Sequence, residues 1–210
     1  MHNCLVGSEM CIRDRSWIDQ GNNRQDAAVL YRSNAQSRVI ESALLQFDIP
    51  YRVYGGQRFF ERLEIKNALA YMRLILNCHD DVAFERVVNI PPRGIGERTV
   101  DAVREHARNI SISMWSAAKA MIVDKNLNTR SANALAAFLN LINEMTNTLE
   151  ALPLSELAEN SIEMSGLIEM HRREKGERGQ SRVENLEELV GACKNFCLLY
   201  TSPSPRDSCA

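Results

Sequence analysis

Three stretches of this 210-residue chain carry residue types whose spacing suits chemistry on a nucleotide or a nucleic acid. In AAVLYRSNAQSR, the apolar run Ala27 to Leu30 predicts a short strand that delivers Tyr31 and Arg32 to its carboxyl end; Ser33 or Asn34 then offers an N-cap for a helix. Ligands of open α/β sheets bind beyond the carboxyl ends of strands. There an aromatic ring can stack on a base and an adjacent guanidinium can reach a phosphate. The dipeptide alone fits equally a strand-end tyrosine packed on its neighbour and a solvated arginine. Gln36 and Arg38, on the first turns of the helix, read as surface or structural residues.

In PPRGIGERT, Gly94 and Gly96 flank Ile95 just ahead of a predicted helix. Two glycines let a backbone approach a ligand closely, and the helix N-terminus adds free N–H groups, which together suit a phosphate. Ile95 is expected to anchor the turn in the core, while Arg93, Arg98 and Thr99 add donors to a sugar-phosphate backbone. The bland alternative is a Gly-rich turn between helices with solvated arginines. In YGGQRFFERLEIKN, Phe59 and Phe60 can stack on unpaired bases beside Arg58 and Arg62. Core packing is the expected fate of at least one phenylalanine, and Glu61 and Glu64 can pair with the arginines.

The elements that position these residues follow from hydrophobic periodicity. A helix over 35–47 is expected to bury Val39, Ile40, Ala43, Leu44 and Phe47, and a second strand runs from Tyr51 to Tyr54 before a Gly55-Gly56 turn. A helix follows over 59–77. This β-α-β-α order predicts a parallel sheet. From Asp80 onward only helices are expected: 81–89, stopped by Pro91-Pro92; 99–109; one capped by Ser113; a long one opened by Asn128 or Thr129; and one bracketed by Pro153 and Gly166. The long helix has a buried stripe of Leu135, Phe138, Leu139, Ile142, Met145 and Leu149. Ser181 and Glu184 form an S-x-x-E capping box ahead of Leu186, and HRREKGERGQSR before it reads as a basic, Gly-interrupted, solvated linker. His79, His106 and His171 have no partner spacing for metal or acid–base work.

The composition is that of a soluble globular chain, 45% hydrophobic and 25% charged with net charge −2, so nucleic-acid contact must come from local basic clusters rather than a bulk field. No apolar run approaches the roughly 20 residues that span a bilayer. Both ends resemble translated sequencing adapter. The tail CLLYTSPSPRD can be written as DNA whose reverse complement, in another frame, encodes LVGSEMCIRD, which is Leu5 to Asp14. Residues 1–15 and 197–210 are therefore expected to be non-native. Four of the six cysteines lie in or beside these ends; Cys78 and Cys193 remain, at no metal-ligand spacing, as expected of a reduced cytoplasmic protein. No metal site is expected.

AAVLYRSNAQSR resembles, almost letter for letter, the fourth motif of UvrD/Rep-type superfamily-1 DNA helicases. The resemblance continues through YRVYGGQRFFERLEIKNALAYMRLI, AFERVVNIPPRGIGERT and SRVENLEELV, so it covers roughly Ile18 to Phe196. It departs from the family at Asn67, where an Asp is usual. The resemblance implies an α/β, mostly α fold: residues 16–124 as the first part of the second RecA-like lobe, with a partial parallel sheet, and 125–196 as the start of a helical accessory insertion. It implies that Tyr31 stacks on adenine, that Arg32 contacts the γ-phosphate, and that Arg58, Arg93, Gly94, Ile95, Gly96, Arg98 and Thr99 lie on DNA. Arginines in that role are worth about 10³–10⁵ in rate.

The chain has no G-x-x-x-x-G-K-[ST] phosphate loop and no acidic box after an apolar strand. It is therefore expected to be an internal segment, inactive alone, of an ATP- and Mg²⁺-dependent helicase that moves 3′ to 5′ on single-stranded DNA while holding duplex. The alternatives are a lobe of a recombination nuclease–helicase subunit and a non-enzymatic helical DNA-binding module.

Overall fold

The computed structural model describes residues 21, 27–31, 36–53, 58–149, 152–174 and 176–201, with the backbone alone for 149 and 195–201. Arg32 to Ala35, Tyr54 to Gly56, Lys175 and the segments 1–15 and 202–210 lie outside the described residues, and so does every expectation that falls on them. Two compact units divide between Arg62 and Leu63.

Among the described residues, the first unit contains α1 (Ser37–Gln46) and a 3₁₀ turn (Phe59–Glu61), which pack against each other. The predicted strands are not formed: 27–31 and 51–53 carry no regular structure, and there is no strand among the described residues. Helix α1 also departs from its expected pattern. Ser37 and Glu41 are its buried residues, whereas Val39 and Phe47 are exposed and Leu45 is 67% exposed. Of the apolar residues expected to be buried, Ile40, Ala43 and Leu44 are half-buried and only Val39 and Phe47 are exposed.

The second unit is helical throughout its described length: α2 (Leu63–Leu76), α3 (Asp81–Val87), α4 (Glu97–Asn109), α5 (Met114–Val123), α6 (Thr129–Leu149), α7 (Leu154–Ser165), α8 (Leu167–Arg172) and α9 (Glu177–Thr201). Local chemistry sets several of these limits. Asp80 caps α3 by accepting from the Ala83 N–H at 3.0 Å, and Ser113 caps α5 by accepting from Ser116. Asn128 accepts from the Ser131 N–H at 2.8 Å, opening α6. Gly166, at φ 80°, ends α7. The capping box at Ser181 does not form, because α9 begins at Glu177 and places both Ser181 and Glu184 inside the helix. Residues 124–128 form the turn between α5 and α6, which pack on each other.

Helix α2 is the hub of this unit, touching α3, α6, α7 and α9. Its Ile65, Ala68, Tyr71 and Leu74 are fully buried, and so are Leu135, Phe138, Ile142 and Met145 of the predicted α6 stripe. At the centre, Phe84 meets Trp115 and Phe138 edge to face, with ring centroids 6.4 and 5.5 Å away. A second, polar core joins α2 to the α8–α9 turn. Asn185 donates to Glu64 at 2.6 Å, Arg182 donates to both oxygens of Glu174, and the buried His171 ring lies 2.7 Å from the same carboxylate. Burial raises the pKa of Glu174, but the bonds from His171 and Arg182 outweigh it and hold the group below the ordinary carboxylate range. His171 and Arg182 are therefore parts of the packed structure rather than of a solvated linker, while Arg172 and Arg173 remain exposed.

Phe84→Ala is expected to cost about 3–5 kcal/mol by leaving a cavity among three rings. Leu76→Ala, at a position 71% exposed, should stay within about 0.5 kcal/mol. Urea unfolding measures both, and equal effects would refute this placement of the core.

Candidate nucleic-acid interface

The Gly94-Ile95-Gly96 hairpin joins α3 to α4 and is built from inside outward. Ile95 is fully buried, as its place between two glycines suggested, and fixes the turn to the core. Asn89 is the second fixture: its Oδ1 accepts from the N–H groups of Arg93 at 2.8 Å and Ile95 at 3.3 Å. Gly94 has φ +77°, a left-handed conformation that a side chain makes costly. Both glycines are exposed, and a Cβ built on either meets nothing within 4 Å. Gly96 then starts α4 with no side chain capping it, which leaves the first N–H groups of that helix for an external acceptor.

The two arginines of this segment have different fates. Arg93 points inward. Its guanidinium donates to the carbonyls of Pro91 at 3.1 Å, Ser165 at 3.0 Å and Val87 at 3.4 Å. It also lies 5.8 Å from the Tyr71 ring centroid and 5.5 Å from that of Phe138. Arg98 is exposed on the first turn of α4 beside the glycines. Thr99 is buried, and its hydroxyl donates to Ser131 at 3.2 Å. Arg104, further along α4, is held between the carboxylates of Glu85 and Asp101. The exposed face of the hairpin thus carries Gly94, Gly96, Glu97 and Arg98, with Arg93, Ile95 and Thr99 holding it from behind.

Asn89 and Ser165 were missed by sequence reasoning. An Asn shortly before Pro and Gly is a signal for side chain-to-backbone bonding in a turn, and it was available. The Ser165 carbonyl lies far away in sequence and left no trace there.

In the first unit, Tyr31 is 36% exposed. Phe59 is buried and Phe60 is 52% exposed, so the pair divides into one core ring and one surface ring, edge to face at 5.1 Å. Arg58 is exposed with its guanidinium 5.3 Å from the Tyr51 ring centroid. With Arg38, Glu41, Ser42, Leu45 and Glu61, these residues line a cavity of about 250 Å³. Arg62 is buried, donating to Ser37 at 2.7 Å. Among the described residues, no three of His, Cys, Asp and Glu are grouped so as to hold a metal ion. No helix among them is long and apolar enough to cross a membrane.

Arg93→Ala is expected to lower stability by about 1.5–3 kcal/mol, because three carbonyls lose a charged donor. Arg98→Ala should leave the melting temperature unchanged; calorimetry distinguishes the two. Burial pushes the Tyr71 phenol up to about 12, with Arg93 pulling the other way, and the hydroxyl donates to Ile90 and Val87 carbonyls. An unfolded tyrosine ionises near about 10, so this contribution to stability is complete below that pH and is lost as pH rises from about 10 to 12. Denaturant unfolding across that range should show a steeper loss in the wild type than in Tyr71→Phe.

Residues 10–208 match the UvrD-like helicase C-terminal domain. DNA helicase II of Escherichia coli K12 is 52% identical over 184 residues, covering 88% of this chain and 26% of that protein. DNA helicase II of Haemophilus influenzae is 51% identical over 87% of the chain and 25% of its own length. The ATP-dependent DNA helicase PcrA of Bacillus subtilis is 39% identical over 81% and 23%. The chain thus spans about a quarter of the length of these relatives. With a match of this extent, the chain belongs to the family of UvrD-like helicase C-terminal domains.

Proposed function

We propose that this chain is an internal part of an ATP-dependent, 3′-to-5′ DNA helicase or translocase of DNA repair or replication, acting in the cytoplasm and inactive as a separate piece. The observation that carries the reading is the hairpin at Gly94 and Gly96. It combines an open backbone, an uncapped helix start and an exposed Arg98 on a rigid mount, which suits a duplex phosphate backbone read without regard to sequence. Arg93, Ile95 and Thr99 serve that surface by fixing its shape. Single-stranded DNA is assigned to the other unit, where Arg58 and Phe60 are exposed.

The nucleotide assignment rests on the Tyr31-Arg32 motif. Tyr31 stacks on adenine and Arg32 reaches the γ-phosphate across a cleft, supplying charge to the transition state. The phosphate loop and the Mg²⁺ ligands belong to another part of the parent protein, because this sequence contains neither. The bare apolar residues of α1 support the same assembly. Val39, Leu45 and Phe47, with Leu30 94% exposed in the predicted strand, suit one strand and one helix of a RecA-like lobe whose other strands complete the layer. The helical unit from Leu63 onward is then the accessory insertion, beginning earlier than the boundary at 125 that the resemblance implies.

In the complete protein, Arg32→Ala is expected to reduce DNA-stimulated ATP turnover by about 10³-fold or more while nucleotide binding persists. Unchanged turnover refutes the role of Arg32. Arg98→Ala should weaken duplex binding for every sequence alike and reduce the salt dependence by about one ion. A duplex titration at several salt concentrations measures this, and an unaltered slope removes Arg98 from the interface.

A further inference from the structure

The buried side of α1 is polar, and what it binds is the DNA-facing segment. Glu41 is 7% exposed and accepts from two donors that come from different parts of the chain. The Tyr51 hydroxyl donates to Oε2 at 3.1 Å, and the Phe59 N–H donates to Oε1 at 3.3 Å and Oε2 at 3.4 Å. One turn earlier, Ser37 accepts from Arg62. Each donor adjoins a residue of the strand-binding cavity. Tyr51 carries the Arg58 guanidinium on its ring, and Phe59 is joined by a peptide bond to Arg58 and Phe60 and meets the Phe60 ring edge to face. Burial and the Glu41 carboxylate raise the Tyr51 pKa, as expected of a phenol that donates to an anion.

We propose that Glu41 is a positioning residue: its carboxylate locks Tyr51 and the Phe59 backbone to α1, the helix that follows the Tyr31-Arg32 motif, and so sets where Arg58 and Phe60 meet single-stranded DNA. A shift of α1 that accompanies nucleotide binding then moves the DNA contacts with it, because a carboxylate accepting from two donors resists slippage more than an apolar contact does. The inference rests on the proposed helicase reading. It adds a residue whose carboxylate is taken up by Tyr51 and the Phe59 N–H and which transmits position between the two sites.

The test uses the complete protein and measures its affinity for a fluorescent oligothymidylate with and without a non-hydrolysable ATP analogue. Glu41→Gln keeps one acceptor oxygen but turns an amide N–H toward a donor. Its expected effect is to shrink the nucleotide-dependent ratio of affinities by about tenfold, or to about one if the wild-type ratio is smaller than that. Tyr51→Phe removes one donor and keeps the ring under Arg58, so it should shrink the ratio by an intermediate factor; it also carries the test if Glu41→Gln fails to fold. A wild-type ratio retained in both variants, or a wild type whose DNA affinity ignores nucleotide, overturns the proposal. Arg58→Ala separates this from failure of the underlying reading. Undiminished oligothymidylate affinity there removes DNA from this cavity altogether, whereas lost affinity with an intact ratio in Glu41→Gln and Tyr51→Phe removes only the positioning role.

Discussion

The guanidinium of Arg93 sits among the carbonyls of Val87, Pro91 and Ser165 with the rings of Tyr71 and Phe138 beside it, and the Gly94-Ile95-Gly96 hairpin depends on this arrangement. A turn made of Gly-Ile-Gly has little stiffness of its own, since glycine loses more conformational entropy on ordering than any other residue. The rigidity must come from outside the turn. Arg93 supplies it by joining the end of α3, the prolines and the end of α7, while Asn89 ties down the N–H groups of Arg93 and Ile95. A delocalised cation with a planar fork of donors suits this task, because it can satisfy several carbonyls at once and still lie against aromatic faces. The positive charge left exposed beside the hairpin is then Arg98, next to the N–H groups at the start of α4.

The same division between holding and contacting runs through the first unit. Buried polar groups are costly unless hydrogen-bonded, and those of α1 are bonded: Ser37 takes Arg62, and Glu41 takes Tyr51 and Phe59. The exposed members of the same stretch, Arg58 and Phe60, are the ones suited to a ligand. In each unit a sequence motif with two arginines separates into one that is spent on the fold and one that faces outward. Arg62 and Arg93 are spent, while Arg58 and Arg98 are presented.

The helical unit shows how apolar and polar packing share the work. Around Phe84, side chains meet without direction beyond ring geometry, and volume decides the fit. Around Glu64, Glu174, Arg182 and Asn185, direction decides. These bonds connect α2 to α9 across a long stretch of chain, fixing the register of the two helices as an apolar contact alone does not.

Most helix limits from Asp80 onward were written in local chemistry. Asp80, Ser113, Asn128, Pro153 and Gly166 mark ends because each acts on backbone groups within a few residues, and periodicity alone showed the α6 stripe. The burial of Ile95 between exposed glycines was likewise legible, and the motifs alone named the family. The sheet, the buried side of α1 and the fate of each arginine were not. Whether Ala27 to Leu30 forms a strand depends on neighbours, whether Val39 or Glu41 is buried depends on what covers α1, and whether Arg93 or Arg98 meets solvent depends on the Ser165 carbonyl. Capping and periodicity are short-range properties that a sequence states directly, whereas the partner of a guanidinium or of a strand edge is chosen only when distant parts of the chain meet.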